Sequence, residues 1–245
     1  THHFDLPRGY HSSRSVATKL LSRDLLTERP FRFTEPPSSD PRHCKNAVSV
    51  GEALSDLPPL RGHLEGKIKR GARDLSASLP YRSVRPSRFA QEMRNWPGFE
   101  SNMSVTGHVI RHLPRDYRIF RKMQPGDQYP EAHALAERLF EQHLERLRAG
   151  GEQISAPSQR YSEEKARFVP PYDPGKFPNK WRKLAAGEPS RTLMAHLGKD
   201  SYSHIHHDGD QARTISVREA ARLQSFPDGF IFSGAMNAAF RQIGN

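Results

Sequence analysis

Cysteine occurs once in the 245 residues, at Cys44, which excludes an internal disulfide framework and a zinc site built on cysteine pairs. Acidic residues are also scarce, 27 against 38 Lys and Arg, leaving a net charge of +11 with histidines neutral. That surplus points to a polyanionic partner held by phosphate neutralisation, nucleic acid ahead of an anionic membrane surface. Apolar residues are few as well, at 35%, with a mean hydropathy of -0.80. No stretch approaches the roughly 20 apolar residues of a spanning helix, so no membrane is expected as partner. The opening THHFDLPRGY has neither the apolar run nor the cleavage pattern of a signal peptide, and a cytoplasmic location is expected. Neither type of glycine-rich phosphate loop is present, so the main binding site of any nucleotide-like cofactor is not expected in these residues. Threonine in first position suggests further sequence upstream.

What is present divides along the chain. Residues 1–46 mix Arg, Ser and Pro without a helical or strand period and read as an irregular lead-in. Ser49 and Glu52 make a capping box for a short helix that Pro58 and Pro59 stop. Between 61 and 95, nine Lys or Arg face three acids, with Tyr81, Phe89 and Trp96 nearby, a mixture suited to following phosphates or to a solvated face. From Pro130 to Arg148 the spacing of Leu135, Leu139, Phe140, Leu144 and Leu147 predicts a helix with a packed stripe, stopped by Gly150 and Gly151. Residues 152–180, rich in Pro, Ser and Lys, predict a long ordered loop. Short extended pieces follow around Thr192–Leu197 and Ser203–His206. A second capping box, Ser216 with Glu219, opens a helix from Val217 to Ser225 that Pro227 and Gly229 close.

Two groups invite chemistry. His43 and Lys45 flank Cys44 with charge that favours a thiolate, but covalent catalysis also needs a positioned base, and none is visible. In the cluster His204, His206, His207 and Asp208, His204 and His206 would share one face of a strand and so could bind a metal together. A strand entering an Asp208-Gly209 turn explains the cluster more simply, and no metal is expected.

Five segments in order carry a resemblance. RTISVREAARLQSFPDGF (213–230) resembles the ninth motif of the cytosine-5 DNA methyltransferases, and RQIGN (241–245) resembles the opening of their tenth. KWRKLAAGEPSRTLMAHLGKD (180–200) is similar to the stretch that closes the family's target-recognition region. VSVGEALSDLPPL (48–60) resembles the helix-and-proline element after the eighth motif. GHVIRHLPRDYRIFRKMQPGD (107–127) is similar to its histidine-arginine-aspartate-glycine segment, with Gly107 where asparagine is common. The family's glycine-rich, Pro-Cys, Glu-Asn-Val and Gln-x-Arg-x-Arg motifs are absent, and Cys44 does not follow a proline.

The resemblance implies an α+β fold, an irregular mixed target-recognition domain, with the Rossmann-like methyltransferase domain largely missing. It implies a lead-in at 1–46, recognition domain at 47–212, ninth-motif helix region at 213–230 and truncated return segment at 231–245. In such enzymes a base turned out of the duplex is attacked at C6 by a cysteine and methylated at C5 from S-adenosylmethionine. This chain would recognise double-stranded DNA and be inactive alone, the main cofactor site lying upstream. Lys180, Arg182, Arg191, Thr192 and Lys199 are the expected DNA contacts. Asn245 matches the tenth-motif asparagine beside the cofactor, while Ser216, Arg218 and Glu219 are expected to be structural, Arg218 and Glu219 as caps or buried partners, with capping the safer role for Glu219. A sequence-specific bacterial enzyme of a restriction-modification system is suggested. Two alternatives stand: a non-catalytic basic DNA-binding module, or the complementing subunit of a split methyltransferase with a separate catalytic chain.

Overall fold

The computed structural model describes residues 11–12, 45–68, 74–101, 103–199 and 201–245. Cys44 and most of the 1–46 lead-in lie outside them. The chain forms two units, 1–48 and 49–245. In the first, β1 (His11–Ser12) pairs in parallel with β2 (Lys45–Asn46).

In the second unit, α1 (Val50–Leu54) begins at the Ser49–Glu52 capping box, with both reciprocal bonds made, and ends before Pro58. A short antiparallel ladder joins β3 (Leu79–Pro80) to β4 (Ser104–Val105) around α2 (Arg88–Arg94), which Ser87 caps. α3 (Tyr117–Lys122) leads into α4 (Tyr129–Ala149), the predicted long helix, which buries Ala132, Ala136, Leu139, Phe140 and Leu144. Leu135 and Leu147 pack at the margin of the same core. The two alanines sit mid-stripe because α4 closes against bulky aromatics: Phe140 meets Phe168, and Tyr129 meets Trp181, which stacks on Tyr202 at 4.6 Å. The core thus gathers α3, α4 and the segments carrying Phe168, Trp181 and Ile205.

The 152–180 loop is ordered but holds a helix, α5 (Gln159–Ala166), capped by Ser158. None of its residues is buried, so no apolar period marks it in the sequence. The piece expected to be extended at Thr192–Leu197 ends instead in a 3-10 turn, Ala195–Gly198. Around Ser203–His206 extension is limited to bridges from Ile205 to Lys183 and Thr214. The Asp208-Gly209 turn is a 3-10 turn, Gly209–Gln211, capped by the Asp208 side chain.

α6 (Val217–Leu223) starts at the second capping box and stops two residues earlier than expected, because Ser225 takes a left-handed φ of 60°. The return segment after it folds as α7 (Met236–Gly244), burying Met236, Ala239, Phe240 and Ile243 at helical spacing. α7 packs on the Ala195–Gly198 turn, where Gly198 lets the backbones meet: a Cβ there would stand 2.8 Å from the Asn237 carbonyl oxygen. Seven helices and two two-residue ladders in the described residues make a mixed architecture dominated by helix.

Candidate functional site

Six consecutive residues of α6, Val217 to Arg222, are buried, so its charged side chains have no water and must be paired. Glu219 caps the helix and also accepts a bidentate pair from buried Arg213, at 2.6 and 2.7 Å. Burial alone would raise its pKa, but the charges of Arg213 and His206 hold the carboxyl well below the usual range. The His206 ring accepts from the Asp208 backbone N–H through Nδ1 and turns Nε2 toward Glu219 at 3.4 Å. Arg218 donates to the carbonyls of Thr106, Pro227 and Phe230. Arg222 lies between Asp56, at 2.7 Å, and Asp228, at 2.9 Å, and both partners are fully buried. Arg94 pairs with Asp56 from the far side, over the Tyr81 ring, and the Tyr81 hydroxyl donates to Asp228.

His108 joins this scaffold to the chain around α1. The Pro58 carbonyl, 2.7 Å away, accepts from Nε2, so Nδ1 accepts from the hydroxyl of Ser216, the capping residue of α6. Burial pulls its pKa down to about 4, keeping the ring neutral. Gly107 beside it has φ +69°, a left-handed conformation open to glycine and, less readily, to asparagine.

The scaffold carries a loop. Gln224 donates to the Leu193 carbonyl, and Arg111 donates to the Gly198 carbonyl and to Asn237. Between these anchors the chain borders a cavity of about 210 Å³, lined by Asn179, Lys180, Arg191, Thr192, Met194, His196, Leu197, Ser203 and His204. Cationic groups gather there. Burial, then the neighbouring Arg182 charge, lower the pKa of Arg191. Among the described residues no carboxylate pairs with either guanidinium. His204 is buried, its pKa lowered to about 4 by burial and by Arg191, His196 and Arg182. Its Nε2 donates to the Arg191 carbonyl and its Nδ1 accepts from Ser203, so the neutral ring braces the backbone under Arg191.

Of the predicted contacts, Lys180, Arg191 and Thr192 therefore border one cavity, with half-buried Arg182 within reach of Arg191. Lys180 also lies over the Tyr172 ring at 4.1 Å. Lys199 is exposed at the end of the 3-10 turn, outside the lining. Asn245 is exposed at the C-terminal cap of α7, its N–H bonded to the Arg241 carbonyl. Glu219 both caps and forms a buried ion pair, and Arg218 is a buried donor rather than a cap. His204 and His206 point to different partners, and the described residues contain no group of three His, Cys, Asp or Glu able to hold a metal. Sequence reasoning missed His108, Arg213, Arg222, Asp56 and Asp228. The one signal for Arg213 was a cation six residues before a capping glutamate.

Comparison with known proteins matches residues 82–245 to the family model for C-5 cytosine-specific DNA methylase. A relative assigned as type II methyltransferase M.OihORF3336P, from Oceanobacillus iheyensis, is 40% identical over 95% of this chain and 47% of its own length. Type II methyltransferase M.AgeI of Thalassovita gelatinovora is 29% identical over 90% of this chain and 51% of its own. The chain thus spans about half the length of these curated relatives. A crystal structure of a DNA modification methyltransferase encoded within an E. coli prophage aligns at a TM-score of 0.44 and 19% identity, covering 83% of this chain and 44% of that one.

Proposed function

Because the chain belongs to the C-5 cytosine-specific DNA methylase family, we propose that it supplies the target-recognition part of a DNA cytosine-5 methyltransferase. The observation that carries this reading is the cavity at Lys180, Arg191 and Thr192, where Arg182 lies near Arg191 and neither has a carboxylate partner among the described residues. Arg191 is exposed and Arg182 half-buried, so both guanidiniums can reach an anion or an electron-rich base edge, and duplex DNA offers both. Thr192 adds a hydroxyl, and Met194, 55% exposed, adds an apolar contact for a base or methyl group.

The residues act by holding and orienting. Lys180, Arg182 and Arg191 engage the duplex, His204 fixes the backbone that presents Arg191, and the ion pairs beneath α6 keep the loop from yielding. The methyl donor of the family, S-adenosylmethionine, supplies the transferred group. These residues do not fit it by themselves: Asn245, the one position tied to it by resemblance, lines neither this cavity nor those at 88–97, 118–168 and 74–234. Recognition is therefore assigned to this chain and methyl transfer to residues outside it.

A labelled duplex titrated with the chain should bind, and Arg182→Ala with Arg191→Ala should weaken binding by about tenfold or more at fixed salt. The chain alone should incorporate no labelled methyl group into DNA. Equal affinity of the double variant and the parent would remove the cavity from the interface, and methyl transfer by the chain alone would overturn the division of labour.

A further inference from the structure

A second cationic surface lies away from this cavity and from the scaffold beneath α6. Arg118 of α3, Arg146 of α4 and Arg167 at the C-terminal cap of α5 border a groove of about 460 Å³, together with Leu139, His143, Glu164 and Phe168. Three guanidiniums there face one carboxylate. Glu164 is shared by Arg167, at 2.8 Å, and His143, at 2.9 Å. Arg118 has no carboxylate partner among the described residues and lies over the Phe168 ring, 4.7 Å from its centre. Arg146 donates, among the described residues, only to the Gln142 carbonyl of its own helix.

We propose that this groove is a second contact for the phosphodiester backbone of DNA, separate from the cavity at Arg191. The proposal rests on the DNA-binding reading above. All three cations are arginines, whose planar fork matches phosphate oxygens and is weakly hydrated. Phe168 is stacked by His143 at 4.7 Å and holds the Arg118 guanidinium in place, so less side-chain entropy is lost when an anion binds. The cations come from three elements, so they present a track rather than a point. A track suits the repeated charges of a duplex better than one small anion, as the +11 charge of the whole chain does. Such contacts position a duplex and carry no sequence information.

The experiment measures binding of a labelled random-sequence duplex across a salt series, for the parent chain and for a variant carrying Arg118→Gln, Arg146→Gln and Arg167→Gln. Every arginine that ceases to neutralise a phosphate should flatten the plot of log K against log salt by about 0.9, so the variant's slope should be shallower by about 2 to 3. If the parent binds and the variant keeps its slope, the groove does not meet DNA and the inference fails while the Arg191 reading stands. If the parent does not bind any duplex, both fail. If the triple variant melts early, Arg146→Gln alone serves, since among the described residues Arg146 bonds only its own helix carbonyl: a slope flatter by about 0.9 supports the groove, and an unchanged one overturns it.

Discussion

Glu219 shows how much one residue can be asked to do. In sequence it is the third helical position after Ser216, which identifies a cap, and it bonds the Ser216 N–H at 2.7 Å as a cap should. The same carboxylate neutralises Arg213, whose guanidinium is buried. Glu219→Gln should therefore lower stability by roughly 3 to 5 kcal/mol, read from urea unfolding, because it leaves Arg213 buried without a counter-charge. Replacing both residues by apolar ones of similar volume should cost less than the single change, and a double variant as unstable as the single one would show that the charge pair is not the cause. The cap was legible because it is local; the ion pair was not, because the segment before α6 must first turn to bring Arg213 beside Glu219.

At the scale of elements, legibility followed the apolar period. The stripe of α4 was visible because one face is buried. α5 went unseen because it buries nothing, leaving only the cap at Ser158 as a signal. α6 is the reverse case: Val217 to Arg222 are all buried, so it has no exposed face against which an apolar stripe would stand out, and its arginines are internal. The packing of α7 on the Ala195–Gly198 turn depends on a missing side chain. Gly198→Ala should cost about 1 to 3 kcal/mol, since its Cβ would press on backbone that cannot swing aside. Gly187→Ala, with nothing within 4 Å of its Cβ, is the control and should leave the melting temperature almost unchanged; equal losses at both would refute the close approach.

Across the whole molecule, histidines set the response to acid. Burial lowers the pKa values of His108, His204 and His207 to about 4, against an ordinary value of 6.5. A histidine depressed in the folded state takes its proton more readily when unfolded, so stability is complete above about pH 6.5 and is lost as pH falls toward 4. Glu219 adds a further loss below about pH 4.5, where the unfolded carboxylate protonates first. The melting temperature should therefore fall steadily from pH 7 to pH 4.5, with a shallower fall in His108→Asn if that variant folds; a flat profile over this range would contradict the burial of these rings. The sequence by itself determined the charge surplus, the capped helices at Ser49 and Ser216, the long helix and the family, because caps, periods and motifs are written in neighbouring residues. Only tertiary structure decided which charges serve as scaffold and which stay unpaired. Asp56 reaches Arg222 across 166 positions, and His108 reaches Ser216 across 108. Arg182 and Arg191 stay without a carboxylate in the described residues, since pairing depends on distances that chain order does not set.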